Sequence, residues 1–346
     1  MNRDSLVQLP TALVSPAPPS QARYVMGIDG GATKTLAAVL DLDTRTVHLA
    51  QGGPSNEDAV GAASAVDTLL VVADQALARA GIEQGQLAGA VLAVAGTDTD
   101  AIARSVESER SEDWIVVNDV VGAWAAATGG RPGVGAISGT GSNVFGVGAG
   151  GHAWRVGGWG HLLGDQGSGY WLGCESIRAA LADRDGSGPP TALGDAAAGF
   201  FAVDSIEALA ALVYSKPLTK GEIAAFAVKT CELAQGGDAV AHELYTRGAS
   251  ELAAQIVAVI HHTGLGGGED RFPVGLIGSV FRAGPIFVDP IVAAVHHVAP
   301  GASVSVVEMA PVGGSLQLAA RACGRADAID RVELQRLLDG ALANAA

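Results

Sequence analysis

Two short turns rich in glycine and hydroxyl side chains are the segments of the sequence best suited to chemistry. One spans residues 29–35 (DGGATKT) and the other spans residues 138–143 (SGTGSN), and each directly follows an apolar run. Glycine lets a backbone turn approach a ligand closely, and exposed amide and hydroxyl groups donate hydrogen bonds to phosphate oxygens. The pair therefore predicts two loops that hold one polyphosphate.

The first turn does not fit a Walker loop. That motif continues from its first glycine through four residues to Gly-Lys-Ser/Thr and then a helix, whereas the position five after Gly27 is Ala32. The apolar residues 36–41 that follow the turn predict a second strand instead. Taken by itself, Asp-Gly-Gly is also an ordinary hairpin turn, and this alternative stays open.

A third candidate is Asp119, at the carboxyl end of a strand predicted over residues 114–119 and just before an alanine-rich helix over 120–128. In open α/β sheets the carboxyl ends of the strands face the ligand crevice. A carboxylate in this position is also a good helix N-cap. Position alone leaves catalysis and capping as equal alternatives for Asp119.

The fourth candidate is residues 157–173 (GGWGHLLGDQGSGYWLG), which combine many glycines with Trp159 and Asp165. Sugar sites commonly pair carboxylate and amide groups for hydroxyls with an aromatic face for the ring. The alternative is a structural turn in which Asp165 caps the next helix and Trp159 fills the core. By contrast, residues 146–151 match G-x-G-x-x-G but precede no helix, so we do not assign a dinucleotide site there.

Alternating strands and helices must position these candidates, which predicts an α/β fold. Strands are predicted over 24–29, 36–41, 88–95, 114–119, 134–138, 144–148, 152–156, 272–281 and 304–309, and helices over 62–81, 120–128, 175–181, 206–214, 220–234 and 238–263. Two late glycine segments, Gly278-Ser279 and residues 311–315 (PVGGS), could flank a nucleoside or begin helices.

Composition restricts the class of protein. A chain of 346 residues usually forms more than one core, so two lobes with a cleft are expected. The net charge of −15 argues against nucleic-acid and anionic-membrane partners. Three widely spaced cysteines favour a reducing cytoplasm. Residues 1–23 resemble neither a signal peptide nor a membrane span, and we expect a flexible tail there.

From residue 24 onward, the ordered motifs resemble the N-acetylglucosamine kinase and BadF/BadG/BcrA/BcrD ATPase family of the actin, sugar kinase and Hsp70 superfamily. The resemblance rests on the two phosphate turns, on Asn118-Asp119, on Gly278-Ser279 with residues 311–315, and above all on residues 157–165 (GGWGHLLGD). It implies a two-lobed, actin-like (ribonuclease H-like) α/β fold with an interlobe cleft. The lobes would be 24–130, completed by a C-terminal helix at about 325–346, and 131–324.

The resemblance also implies roles for individual residues. Asp119 would be the catalytic base and a sugar ligand, and Asp29 would hold Mg²⁺ through water. The residues implied to bind ATP are Asp29, Gly30, Gly31, Thr33, Lys34, Gly139, Thr140, Gly141, Gly278, Ser279, Gly313 and Gly314. Those implied to bind the sugar are Asn56, Asp119, Ser142, Asn143, Gly158, Trp159, Gly160 and Asp165.

The expected reaction is transfer of the γ-phosphate of ATP to the 6-hydroxyl of an amino sugar, with N-acetylglucosamine as the first candidate. Glucosamine, N-acetylmannosamine, N-acetylmuramic acid and glucose remain alternatives, and a homodimer is implied. Two other functions stay open. One is a BadF-type ATPase with a cysteine-bound iron–sulfur cluster, although Cys174, Cys231 and Cys323 lack an obvious pairing. The other is a noncatalytic sugar or nucleotide sensor.

Overall fold

The structure is a computed structural model. It describes residues 20–345, apart from 97, 111–113, 216–217 and 267–270, together with residues 9, 13 and 18. The predicted tail, 1–23, falls mostly outside the described residues. Leu13 is described, and it is fully buried in a core cluster that also contains Leu316 and Leu334.

Two mixed five-stranded sheets form the framework. The first sheet has the order β3-β2-β1-β4-β5, in which β1, β2 and β3 are antiparallel neighbours and β4 and β5 run parallel to β1. Its strands are β1 Tyr24–Gly30, β2 Thr35–Asp41, β3 Thr46–Gly52, β4 Leu87–Val94 and β5 Trp114–Asn118. Strand β2 is buried along its whole length, as an inner strand between two neighbours should be.

The second sheet repeats this arrangement. Its order is β8-β7-β6-β9-β10, with β6, β7 and β8 antiparallel and β9 and β10 parallel to β6. Its strands are β6 Gly133–Ser138, β7 Ser142–Val147, β8 Ala153–Gly157, β9 Pro273–Ile277 and β10 Ser303–Val306. The two glycine turns therefore occupy equivalent positions, between β1 and β2 and between β6 and β7.

Thirteen α-helices are found in the described part of the chain. They are α1 Glu57–Val60, α2 Ala62–Ala80, α3 Thr99–Glu109, α4 Asp119–Thr128, α5 Gly169–Arg184, α6 Leu193–Phe200, α7 Ile206–Ser215, α8 Lys220–Ala225, α9 Ala227–Gln235, α10 Ala239–Thr263, α11 Pro285–Val298, α12 Pro311–Ala322 and α13 Arg331–Ala345. Short 3₁₀ helices cover Gln84–Gln86 and Ser279–Ala283. None of the helices within these ranges is both long and apolar enough to cross a membrane.

Helix α4 contacts both sheets through positions where a side chain would not fit. A Cβ on Gly122 would lie 2.7 Å from Cβ of Ala93 in β4 of the first sheet. On the other sheet, a Cβ on Gly135 would lie 2.6 Å from Cα of Trp124. A Cβ on Gly275 would lie 2.3 Å from Cβ of Ala127. The α4 backbone is thereby packed directly between the two halves.

The predicted α/β class and two-lobed framework are confirmed by the paired sheets, and most predicted elements are present. One helix prediction was wrong: residues 220–234 form two helices, α8 and α9, which meet at Phe226. The Phe226 ring is fully buried and packs against Phe200 and Phe201. Burying this ring turns the chain between two short helices, a tertiary effect that the periodicity alone does not reveal.

Candidate active site

The first glycine turn is tied to the loop that follows β3. The Gly31 amide donates to the Lys34 carbonyl (3.0 Å), which closes the turn. The Ser55 amide donates to the Gly31 carbonyl (3.0 Å), and the buried Thr35 hydroxyl lies 2.8 Å from both the Gly53 carbonyl and the Ser55 hydroxyl. These bonds bring the loop that carries Asn56 beside the turn.

Asn56 begins the short helix α1, where its Oδ1 accepts a hydrogen bond from the Asp58 amide at 2.9 Å. The capping bond uses only the carbonyl half of the side chain, so Nδ2 is the group available to a ligand. Asn56 and Asp58 both line the cavity described below. Asn56, which the resemblance implies as a sugar ligand, therefore lies at the cavity wall.

The second turn anchors the start of helix α5. The Gly139 carbonyl accepts from the Gly169 amide (2.8 Å), and the Thr140 carbonyl accepts from the Tyr170 amide (3.3 Å). The N-cap of α5 is Ser168, whose side chain accepts from the Trp171 amide. The alternative in which Asp165 caps this helix was therefore wrong.

Asp165 is instead fixed inside the site. It is 3% exposed and adopts a left-handed backbone conformation with φ of 63°, which is uncommon for a residue with a side chain. Its Oδ1 accepts from the Ser142 amide at 3.0 Å, and its Oδ2 lies 2.7 Å from Nζ of Lys220. A backbone conformation of this kind persists only where surrounding contacts hold it. Such residues occur most often at functional sites.

The neighbouring glycines make room for these polar groups. A Cβ on Gly141 would lie 2.9 Å from Oδ1 of Asp165. Gly158 has φ of 68°, and a Cβ there would lie 2.7 Å from Nδ2 of Asn143. Trp159, in contrast, points away from the cavity: it is 62% exposed and lies under the Arg155 guanidinium. The alternative core position of Trp159 is therefore wrong, and its contact with a sugar stays a prediction.

Two asparagines and Asp119 form the wall between the turns. Asn118 is the N-cap of α4, since its Oδ1 accepts from the Val120 amide at 3.3 Å, and Asp119 is the first helical residue. The capping alternative for Asp119 was therefore wrong. Asn143 donates from Nδ2 to Oδ1 of Asn118 at 3.0 Å, and its own Oδ1 is buried without a hydrogen-bond partner among the described residues. An unmatched acceptor in a cavity wall suits a ligand hydroxyl.

Both acids of the first half have raised pKa values. Burial is the main cause for each, because it penalises the charged carboxylate. The pKa of Asp29 rises to about 7, with the Asp119 charge adding to the rise and Lys34 opposing it. The pKa of Asp119 rises to about 6, where the Val120 N–H and the Arg155 charge oppose the effect of burial. Perturbed carboxyl groups in a cleft are typical of catalytic sites.

Two adjoining cavities share the second turn. The first has a volume of about 220 Å³, and the residues that line it include Thr33, Asn56, Asp119, Thr140, Asn143, Asp165 and Lys220. The second has a volume of about 430 Å³ and is lined mainly by small and apolar groups of α8, α9 and the Ser279–Ala283 turn. Gly139 and Thr140 line both cavities. A ligand with one polar end and one apolar end could occupy both cavities. The part of the ligand that joins the two ends would then lie on the second turn.

The structure brings most predicted site residues together. Gly31, Thr33, Asn56, Asp119, Gly139, Thr140, Gly141, Ser142, Asn143, Gly158, Gly160 and Asp165 line the first cavity, and Ser279 lines the second. Gly278 lies directly behind the second turn, since a Cβ there would be 2.2 Å from the Ser138 carbonyl oxygen. Asp29, Gly30 and Lys34 belong to the first turn but do not line the cavity.

Gly313 and Gly314 do not line either of these cavities, and their placement near a nucleoside stays a prediction. Both lie in the buried first turns of α12. A Cβ on Gly313 would lie 2.6 Å from Sδ of Met309, and one on Gly314 would lie 1.9 Å from the Gly122 carbonyl oxygen. Gly314 thus allows close packing of α12 against α4, and Gly313 allows close packing against Met309 and against Leu338 of α13, as the helix-start alternative expects.

Sequence reasoning does not identify Lys220. Its only local signal is the capping box of Thr219 and Glu222, which marks the start of α8 but not a position beside Asp165. The sequence does not identify Arg155 either. Arg155 belongs to β8 of the second sheet, and its charge lowers the pKa of Asp119. Both contacts join segments that are far apart in the chain.

Comparison with known proteins agrees with this geometry. Residues 26–314 match the model of the BadF/BadG/BcrA/BcrD ATPase family. The chain is 33% identical over 243 residues to a curated N-acetylmuramic acid/N-acetylglucosamine kinase from Clostridium acetobutylicum, and the match covers 69% of this chain and 79% of the relative.

Solved structures share the fold. A proposed N-acetylglucosamine kinase from Chromobacterium violaceum superposes with a TM-score of 0.71 at 24% identity, over 87% of this chain and 100% of that chain. A ROK-family glucokinase from Streptomyces griseus, in complex with glucose and AMPPNP, superposes with a TM-score of 0.50 at 16% identity, over 86% and 98%. The fold is thus that of the actin-like sugar kinases, and the chain belongs to the BadF/BadG/BcrA/BcrD ATPase family.

Proposed function

We propose that this protein is an ATP-dependent kinase that phosphorylates the 6-hydroxyl of an amino sugar, with N-acetylglucosamine as the first candidate acceptor. The observation that carries the proposal is the placement of Asp119 in one cavity wall with both glycine turns and Asp165. The named activity of the Clostridium acetobutylicum relative supports a sugar kinase of this type and makes N-acetylmuramic acid the second candidate acceptor.

The larger cavity would hold the adenosine of ATP. Its walls are small or apolar at Ala224, Ala227 and Val280, which suits a flat base, and it adjoins the first cavity at Gly139 and Thr140. The phosphates would then lie between the two turns. Backbone amides and the hydroxyls of Thr33 and Thr140 are suitable donors there.

The sugar would occupy the smaller cavity, between Asn56, Asn143 and Asp165. Its volume of about 220 Å³ and its polar walls suit a single pyranose. The Asp165 carboxylate is positioned for hydroxyl donors, and the unmatched Oδ1 of Asn143 would accept another. A site that hydrogen-bonds its ligand in this way discriminates strongly against analogues that lack the bonding group.

Asp119 would orient the acceptor hydroxyl and take its proton. A carboxyl group with a pKa of about 6 is mostly ionised at pH 7 yet remains basic enough to receive a proton. Phosphoryl transfer depends mainly on alignment and charge neutralisation, because its transition state is loose. Proton acceptance would therefore come late in the transfer.

The charge environment of Asp29 suits a divalent cation. The carboxylates of Asp29 and Asp119 interact unfavourably, and burial raises the pKa of Asp29, so a cation there would relieve both effects. When bound, Mg²⁺ neutralises phosphate charge in reactions of this class. We propose that Asp29 holds Mg²⁺ through water.

The decisive experiment measures conversion of ATP to ADP with Mg²⁺ across N-acetylglucosamine, N-acetylmuramic acid, glucosamine, N-acetylmannosamine, glucose and no sugar. Strong stimulation by one sugar, with the phosphate found on its 6-position by NMR, is the expected result. Sugar-independent hydrolysis would support a BadF-type ATPase, and ligand binding without turnover would support a sensor. No feature of the site favours the ATPase with a cluster, because Cys174, Cys231 and Cys323 belong to three different helical segments.

The domain boundaries and assembly remain predictions. Helix α13 packs against β3, and Arg45 forms an ion pair with Glu333, which supports completion of the 24–130 lobe by the C-terminal helix. We also propose a homodimer in the cytoplasm, without nucleic-acid or membrane partners. Light scattering coupled to size-exclusion chromatography measures the oligomeric state directly.

A further inference from the structure

A third cavity, of about 300 Å³, lies away from the site described above. Three arginines line it, Arg131, Arg321 and Arg331, and we call it the arginine cavity. It is bounded by the turn after α4, the end of α12 and the start of α13. Asp119 begins α4 and Thr128 ends it, so the length of that helix, roughly 15 Å, separates the arginine cavity from the acid of the active site.

Two of the guanidinium groups in the arginine cavity have no carboxylate partner among the described residues. Arg131 and Arg331 form no ion pair within the described residues, and Nε of Arg331 is buried without a hydrogen-bond partner there. Burial lowers the pKa of Arg331, and the nearby Arg131 charge lowers it further. Two guanidinium groups that lie close together, in a chain with a net charge of −15, form a site suited to an anionic ligand.

Two carboxylates also line the arginine cavity, Asp327 and Asp330. Asp330 caps α13, and its Oδ1 accepts from the amides of Val332 and Glu333 at 2.9 and 3.0 Å. Asp327 lies at the exposed rim. The cavity wall thus contains three guanidinium groups and two carboxylates. Its guanidinium groups offer donors in the forked geometry that phosphate oxygens match.

We infer that the arginine cavity binds the phosphate monoester of a small metabolite. The dianion would lie between the guanidinium groups of Arg131 and Arg331. The volume is about ten times the ~30 Å³ that one water occupies in the liquid, so there is space for an organic group as well. Ala320, Ala326 and Ile329 provide an apolar wall for that group. The side-chain amide of Gln317 also lines the cavity, and its Oε1 is a buried acceptor without a partner among the described residues, suited to a ligand hydroxyl.

The test measures binding of inorganic phosphate and of glycerol 3-phosphate by ³¹P NMR line broadening. Wild type is compared with Arg131→Gln and Arg331→Gln. Arg104→Gln, an exposed arginine on α3, is the matched control, and Thr140→Ala reports any binding at the phosphate turns. Arg131 is exposed, so its variant should fold even if Arg331→Gln does not.

The expected result is saturable binding, tighter for glycerol 3-phosphate than for phosphate, that weakens at least tenfold in Arg131→Gln and in folded Arg331→Gln. Arg104→Gln and Thr140→Ala should stay within twofold of wild type. No saturable binding, an equal loss in Arg104→Gln, or a loss confined to Thr140→Ala would overturn the inference. Tighter binding of citrate than of glycerol 3-phosphate would overturn the ligand class. None of these outcomes depends on sugar phosphorylation.

Discussion

The Nζ atom of Lys220 lies 2.7 Å from Oδ2 of Asp165, and this ion pair joins the start of α8 to the most constrained residue of the active site. Asp165 is almost fully buried, whereas the Lys220 side chain is 31% exposed. Removing the cation would leave a buried carboxylate without its charge partner, which is costly in protein interiors.

Lys220→Met should therefore raise the KM for the sugar about 10- to 100-fold, with the KM for ATP changing less than about threefold. Steady-state kinetics with each substrate varied in turn measures the two effects. Lys229→Met is the matched control, because Lys229 forms a comparable ion pair with Glu232 on the exposed surface of α9. A rise in the ATP requirement alone would show that Lys220 acts on the nucleotide instead.

Asp119→Asn should lower kcat by about 10²- to 10⁴-fold, the usual contribution of a general base, while leaving ATP binding unchanged. Rapid-quench turnover and calorimetric binding of a nonhydrolysable ATP analogue measure these separately. Asp100→Asn on α3 controls for the change of an exposed acid near a helix start. Turnover within threefold of wild type would contradict the role given to Asp119.

Asp29→Asn should stabilise the ligand-free protein at neutral and alkaline pH. The pKa of Asp29 is about 7 in the folded state against an ordinary value of 3.8, so the folded state binds the proton more tightly. Stability linked to this group is therefore fully present below pH 4 and is lost as the pH rises through 7. We expect a gain of about 1–3 kcal/mol at pH 8 and none at pH 4, measured by denaturant unfolding.

Asp41→Asn should show the opposite sign and serves as the comparison. Burial opposes ionisation of Asp41, but hydrogen bonds from Arg23 and the amides of Thr44 and Asp43 hold its pKa well below the ordinary value. The stability from these bonds is present above pH 4 and is lost as the pH falls. The variant should lose stability at pH 8, and the loss should shrink below pH 4. The same pH dependence for both variants would contradict the assigned pKa directions.

Gly141→Ala should impair sugar binding more than nucleotide binding. The new Cβ would lie 2.9 Å from Oδ1 of Asp165 and 3.1 Å from Nζ of Lys220, so one of these groups must move. We expect the KM for the sugar to rise at least tenfold while the fold is kept, measured by kinetics and circular dichroism. Gly150→Ala in the β7–β8 turn is the control, because a Cβ there meets nothing within 4 Å. Equal effects of the two substitutions would argue against a specific role for Gly141.

The sequence predicts the active site well where chemistry and local structure coincide. Both glycine turns and Asn118-Asp119 lie at strand ends, and strand ends can be located from apolar runs. Gly313 and Gly314 show that glycine serves close helix packing as readily as ligand approach, and this packing depends on residues of α4 and α13 that are distant in the sequence. The exposure of the Trp159 ring could not be predicted, because ring orientation depends on contacts such as that with Arg155.

Several elements leave little signal in the sequence. Helix α11 begins with Pro285 and contains Pro290. An internal proline usually breaks a helix, so the sequence does not predict a helix here. Strand β3, Thr46–Gly52, is exposed at one end and follows a tight turn, so its apolar pattern is weak. Lys220 could not be placed from the sequence, since its neighbour Asp165 is 55 positions away and is reached only after α8 docks on the second turn.

The repeated strand order of the two sheets has a consequence for how charge is distributed across the cleft. Duplication of one five-stranded unit would produce this repeated strand order. Each half therefore has an equivalent glycine turn, between β1 and β2 and between β6 and β7. The acids are not duplicated: Asp29 at the end of β1 corresponds to neutral residues at the end of β6, and Asp119 after β5 corresponds to Val307 after β10. The second half instead contributes an ion pair, Asp165 with Lys220, whose charges offset each other. A topologically symmetric frame thus carries different charged groups in its two halves, and only the first half places acids at the ends of its first and last strands.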